Sequence, residues 1–494
     1  MFRGHPSKKG LYDKEDELMS ALHASGTNPF DTAAQQPQTS LHPEQQQIAA
    51  NYTRTNDIPS DLPPAYSYVD PNTVHRPLPP PPLPPRRATS EQVVALSPEP
   101  YGDNELFDSA KLDSKKPNEL VITKAFWFDR PLSIRVDSRI PTTMTMERDR
   151  SAHTTDAVYM RAEVTFSGTN IEGKVKVTDT VSSRNEYQVG IESLGSFWSN
   201  RSMRCKLTLV FPMVNKHVHP GLCVELTGGP VEMTRLENIH FASIFMQLTR
   251  AKVTLSRLAG DVVNVKTDGA PVVASNVAMA LRFHVLTVNA SVSLSDVYSE
   301  DVVAQTSNSS VTLNGVSART GSIDIATSNG TISCKAVDAQ DIQLRTTNSA
   351  IDADHVAADS LIMETHNGKI TGGCWTVERL LRVDTTNSKI DGAIAFGSQS
   401  PSLPTKIHLN TTNSKISVSL PADQFRGRFE CLTTSSSVNI KWQGKKLQKV
   451  DDSCPINLVV DEKSSKRGHV GSLKTDLQSF SAKTTNSAIE IKFE

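Results

Sequence analysis

The chain has 494 residues, with 52 basic against 53 acidic side chains and a net charge of −1. That balance supplies no global field for nucleic acid or an anionic membrane, and neither is expected as a partner. Six cysteines, at positions 205, 223, 334, 374, 431 and 454, form no CxxC pair and lie near no histidine partner. Buried reduced thiols are expected rather than structural zinc or a disulfide framework, and no cofactor or metal is expected.

Met1 to Gly10 lead into polar and acidic sequence without an apolar core, so no signal peptide is expected. The longest mostly apolar stretch, Pro271 to Leu286, is broken by Ser275, Asn276, Arg282 and His284, and no transmembrane helix is expected. A cytoplasmic location follows as the expectation. The sequons at Asn289, Asn308 and Asn329 then carry no glycan.

Residues 1–101 hold 17 of the 28 prolines, spaced by Gln, Ser, Thr and Asn with few clustered aliphatics. Such a segment buries too little apolar surface to offset its ordering entropy, so residues 1–117 are expected to form a disordered proline-rich tail. Asp13 to His23, with Leu18, Met19 and Leu22 on one strip, is too short for more than a transient turn.

The tail carries peptide-ligand patterns. Pro63, Pro64 and Tyr66 form Pro-Pro-x-Tyr, the ligand pattern of WW domains, in which polyproline II fits an aromatic groove and the tyrosine fills a second pocket. Arg76, Leu78, Pro79, Pro80 and Pro82 fit one orientation of an SH3 ligand, and Pro81, Pro84 and Arg86 fit the reverse. In each the prolines supply a preformed helix and the arginine meets an acidic patch. A stiff solvated spacer is the plain alternative. Thr89 follows Arg86 and Arg87 as in a basophilic kinase site, and Ser97-Pro98 is a proline-directed one. A phosphate on Thr89 adds about −1.5 to −2 of charge beside those arginines and weakens their acidic contacts.

From about residue 118 the texture changes. Leu120 to Thr123, Leu132 to Val136, Ala162 to Phe166 and Lys174 to Val177 alternate and are β-branched, as half-buried strands should be. Residues 118–204 are expected to form a β-rich N-terminal cap. No long helix is predicted between here and Glu494.

Residues 205–494 are repetitive. Thr-Thr-Asn-Ser or a close variant recurs, with corner asparagines at Asn289, Asn308, Asn329, Asn348, Asn367, Asn387, Asn413 and Asn486, and Ser435 standing in once. The first five steps are 19, 21, 19, 19 and 20 residues. Apolar residues recur six and four places before the corner (Ile342 and Leu344, Leu361 and Met363) and three after it (Ile351, Ile370, Ile390). The place five after holds Leu294, Leu313, Cys334 and Ala353, then Gly372 and Gly392. The register extends upstream to corners at Gly228 and Arg250; Asp268 fits less well, because Asn264 and Pro271 fall in apolar slots.

Each repeat therefore reads strand, polar corner, strand, with period two on both arms. One such coil cannot bury its own apolar face, but stacked coils share a core, so the predicted fold is all-β, a β-solenoid of about a dozen coils. At about 4.8 Å per coil the stack would reach roughly 55 Å. Stacked corner asparagines are expected to form an amide ladder. A β-sandwich with hairpins that share Asn-Ser and Asn-Gly turns is the alternative.

The alternation of Leu-x-Val, a Thr/Gly-rich corner and Val-x-Leu, with Leu207 to Pro212 leading to Val224 to Val231, resembles the putative-adhesin domain of unknown function. Together with the proline-rich tail it resembles uncharacterised fungal members of that family. The resemblance covers about residues 120–494 and implies a β-solenoid. Among fungal relatives the Pro-Pro-x-Tyr motif implies a WW-containing ubiquitin ligase of the HECT class as partner.

Chemistry is not expected. Asp324, Asp352 and Asp391 each follow an isoleucine of the repeat and are expected to point outward from three separate coils, about 10 Å apart in alternate coils and too far for a tight catalytic pair. His217 and His219 have no third ligand nearby, and no phosphate loop or GxSxG is present. The expected function is a non-enzymatic intracellular scaffold that recruits WW or SH3 proteins through its tail. A glycan- or cell-surface-associated, adhesin-like binder is the alternative, and a glycan-active β-helix enzyme is less favoured.

Overall fold

A computed structural model describes residues 109–494 apart from 114–115, 128–132, 149–156, 169, 182–185, 195–202, 213–219, 398–403, 444, 447–455 and 472–477. The described residues are all-β, without a helix, so none has one long and apolar enough to cross a membrane. Successive coils pair in parallel. Ile332–Thr346 pairs with Ile351–Thr365, which pairs with Ile370–Thr385, corner against corner. This is the β-solenoid; a sandwich of hairpins would pair successive strands antiparallel.

The core occupies the slots that the repeat indicates. Ile342, Leu344, Ile351, Leu361, Met363, Ile370, Leu381, Val383 and Ile390 are all 1% exposed or less. Each column of identical slots runs from coil to coil, so one coil's apolar face is covered by its neighbours. The upstream corner lies at Gly269 rather than Asp268. From Gly269 the slots are Val263, Val265, Val272 and Ala274, all apolar and buried, and the apparent misfit disappears.

Two features were not anticipated. The seven coils with corners from Gly228 to Asn348 each have a second corner seven residues after the first. Arg235, Arg257, Asn276, Asp296, Ala336 and His355 all take φ between 52° and 62° there, and Gly315 takes 64°. A non-glycine residue in that region costs on the order of 1 kcal/mol, accepted here because the sheet ladders on either side fix the bend. The second corner admits a third side, whose buried column is Val297, Val316, Val337, Val356 and Trp375.

The order of coils in the stack also departs from the order in the sequence at both ends. Ser133–Ser138 pairs in parallel with both Glu186–Ser193 and Gly221–Thr227, so parallel stacking reaches into the region before residue 205 and an early coil sits inside a later pair. At the other end, the last strands of the chain, Gln478–Thr484 and Ile489–Phe493, lie between Thr405–Leu420 and Gly427–Trp442. Antiparallel strands close the stack beyond. Ala157–Phe166 covers Met203–Phe211 at one end, and Ser465–Val470 covers Gly427–Thr433 at the other. Such caps remove the unpaired strand edge that would otherwise template further stacking.

Candidate functional site

The Thr-Thr-Asn-Ser corner has a division of labour that follows from alternation. Its first threonine faces inward and is buried, as at Thr346, Thr365 and Thr385. Its hydroxyl donates to a corner carbonyl of the preceding coil: Thr346 Oγ1 to Gly330 O at 3.1 Å, Thr365 to Ser349 O at 3.0 Å, Thr385 to Gly368 O at 3.1 Å. The backbone amides of the next two residues converge on one carbonyl of the preceding coil, as Thr347 and Asn348 do on Ser328 O. The asparagine points outward. Its Nδ2 donates to Oδ1 of the asparagine one coil earlier, at 2.7 to 2.8 Å from Asn329 through Asn486, and Asn308 likewise donates to Asn289. The eight predicted corner asparagines thus form one continuous ladder, in which each amide between the two ends, Asn289 and Asn486, both gives and accepts a bond. The arrangement is structural: its donors and acceptors are satisfied within the row.

The face just after the corner carries an open trough of about 490 Å³. Its floor is Gly372, Gly373 and Gly392, and its rim includes Asp352, Asp354, Asp391, Ser417, Ser419 and Lys492. Gly372 and Gly392 have a packing cause. Trp375 is fully buried, its Nε1 donates to Ala353 O at 2.9 Å, and its ring lies over Gly392, where an added Cβ would meet the indole at 2.6 Å. The indole therefore fills from the third side the space that Leu or Val fills in other coils.

The structure separates the three aspartates. Asp352, Thr371 and Asp391 stand in register on three successive strands, which puts the two carboxylates about 10 Å apart. Thr371 Oγ1 donates to Asp352 at 3.2 Å, and Lys389 bonds Asp391 at 3.0 Å. Asp324, expected with them, lies instead on the strand before the corner, in register with Val303 and Gln343. Following an isoleucine placed it in the outward phase but on the other arm. Burial pushes its carboxyl above the usual range, Arg345 opposing, and its Oδ1 has no hydrogen-bond partner. Asp354, not singled out from sequence, completes the rim and pairs with His355 at 3.0 Å. Among the described residues no group of three or more His, Cys, Asp or Glu is placed to hold a metal ion.

The thiols behave as small core residues. Cys205, Cys334 and Cys431 are buried and unpaired, and burial pushes the Cys205 and Cys334 thiols up to about 12. Pro63, Pro64 and Tyr66, the SH3-type residues Arg76, Leu78, Pro79, Pro80, Pro81, Pro82, Pro84 and Arg86, the phosphorylation candidates Thr89 and Ser97, and His217 and His219 all lie outside the described residues. The trough was not foreseen because it opens on the outward phase, where Gly373 and Ala393 carry little or no side chain; the inward Gly372 and Gly392 answer instead to Trp375, which stands in the column of Val297, Val316, Val337 and Val356.

No family model matches the chain, and neither does any curated protein. A solved structure similar to it is that of a putative cell adhesion protein from Clostridium sporogenes, with 7% identity and a TM-score of 0.14, covering 76% of this chain and 99% of that one.

Proposed function

We propose that this chain is a non-enzymatic binding protein of the adhesin-like kind, whose solenoid holds an extended, hydroxyl-rich chain such as a glycan along the face after the corner. The observation that carries this reading is the open trough, with a flat glycine floor rimmed by carboxylates, hydroxyls and one lysine. Carboxylates and hydroxyls are bidentate partners for sugar hydroxyls, and an open groove admits a polymer that passes through. The 10 Å spacing of Asp352 and Asp391 and their pairing with Thr371 and Lys389 argue against their acting as a catalytic couple. The test is binding of the full chain to immobilised polysaccharides, with Asp352→Asn/Asp391→Asn as control. Binding lost in the variant supports the reading; binding that is equal in both, or cleavage of any polysaccharide, removes it.

A second reading rests on the tail. Pro63-Pro64-Ala65-Tyr66 and the two overlapping proline–arginine motifs fit a scaffold that recruits WW or SH3 proteins inside the cell. The two readings part on location, inside the cell for the tail and at a glycan-bearing surface for the solenoid, and microscopy of the tagged protein separates them.

A further inference from the structure

The end of the chain does not lie at the end of the stack. Thr405–Thr411 and Gly427–Thr433 are separated by about twenty residues in sequence, yet neither pairs with the other; both pair in parallel with Gln478–Thr484. The strands after the corner repeat the pattern, with Ile489–Phe493 between Ile416–Leu420 and Val438–Trp442. The terminal segment is therefore an insert, and the coils around it form a slot.

The slot recognises its occupant by specific chemistry. Asn486 donates to Asn413 at 2.7 Å and extends the ladder, which Ser435 on the far side of the slot, with a hydroxyl in place of the amide, does not. The amides of Thr434 and Ser435 donate to Thr485 O, while those of Thr485 and Asn486 donate to Thr412 O, so the corner bonds also run 413, 486, 435. Glu490 is clamped by Lys415 from one wall and by Lys441 from the other. Phe493 stands 5.7 Å from Phe425, 6.2 Å from Phe429 and 5.9 Å from Trp442. The last residue is pinned as well, since Glu494 N donates to Leu420 O and Ala422 N to Glu494 O.

During folding, residues 405–442 are made before the segment that belongs between them. Until it arrives, the coil of Asn413 shows an open row of strand amides and carbonyls and the unused Oδ1 of Asn413. An exposed parallel edge of this kind pairs with any strand of matching register. We propose that this slot accepts the C-terminal segment, residues 478–494, of a second copy of the same chain, so that copies folding together are joined by exchange of terminal coils. The occupant is set by the contacts just described, because a second copy brings an identical Asn486, Glu490 and Phe493. Within one chain the segment competes at an effective concentration of order millimolar, so exchange grows with protein concentration.

The test uses full-length chains. One population carries Asn413→Cys and another Asn486→Cys; they are unfolded together in urea, refolded, oxidised and mapped by mass spectrometry. The corner spacing of about 4.8 Å lies within disulfide range. A 413–486 disulfide between two chains, at least tenfold more abundant at about 100 μM than at about 1 μM, is the expected result. A double-cysteine chain that links only within itself at every concentration overturns the proposal, and so does a 413–435 disulfide in a chain carrying Asn413→Cys with Ser435→Cys, which means that the slot closes on itself. With no cysteine introduced, isotope-labelled and unlabelled wild-type chains refolded together should give mixed dimers by native mass spectrometry. Monomers alone overturn the proposal, as do dimers whose yield is unchanged by Asn486→Ser with Glu490→Gln, since those are joined elsewhere.

Discussion

Trp375 and the glycines beneath it give a test in which one substitution changes sign with its background. An alanine Cβ at Gly392 would lie 2.6 and 2.7 Å from the Trp375 ring, with Gly372 O next at 3.0 Å. In the wild type Gly392→Ala therefore overpacks the core, at about 1–3 kcal/mol. Trp375→Ala alone empties the largest fully buried side chain and should cost about 3–5 kcal/mol. In that background the ring contacts are gone, and Gly392→Ala puts a methyl into the cavity and removes the roughly 0.5–1 kcal/mol penalty of glycine in a strand. The coupling between the two sites should thus exceed about 2 kcal/mol, far above the additivity expected of separate positions. Gly372→Ala is the internal control. Its added Cβ would lie 2.0 Å from Ala353 O, a backbone atom, so it should destabilise in both backgrounds. Urea unfolding followed by circular dichroism measures all six proteins. If Gly392→Ala is equally destabilising with and without Trp375, the indole does not occupy that space and the account of the trough floor is wrong.

The ladder, the C-terminal clamp and the tail give three more outcomes. Asn348→Ala removes a bond given to Asn329 and one accepted from Asn367; at an exposed corner the loss should be about 1–2 kcal/mol, read as a lower urea midpoint. Hydrogen bonds from Lys415 and Lys441 hold the Glu490 carboxyl down to about 2 from 4.5. Because the folded value is the lower one, its stabilisation is complete above about pH 4.5 and drains away as pH falls towards 2, so Glu490→Gln should flatten the stability profile in that window and leave its slope at neutral pH alone. In pull-downs with the tail, Tyr66→Ala should remove WW partners and spare SH3 partners, and alanines at Arg76, Arg86 and Arg87 should do the reverse. The same proteins captured by every variant would reduce the tail to a spacer.

Local pattern was enough for much of this protein. The near-twenty-residue step, the buried slots on both arms and the asparagine row all follow from alternation, corner chemistry and the need of one coil to be covered by the next, and each is readable within a window of one or two repeats. The second corner was partly legible, through the run of valines eight places after the first, yet Arg235, Arg257 and His355 are not residues that announce a left-handed bend. They adopt it because the ladders on either side leave no other path, and that constraint belongs to the stack. Asp324 shows the limit of phase without arm: outward alternation was right, and the wall was wrong. Gly372 and Gly392 read as failures of an apolar slot until Trp375 reached them from the third side, a contact that no spacing encodes. Above all, sequence order gave no hint that residues 478–493 lie between 405–420 and 427–442. Repeats of one pattern can stack in any order that their corners permit. The choice was made by pairings that span many repeats, such as Asn486 with Asn413 and Glu490 with Lys415 and Lys441, and these exist only once the chain has folded.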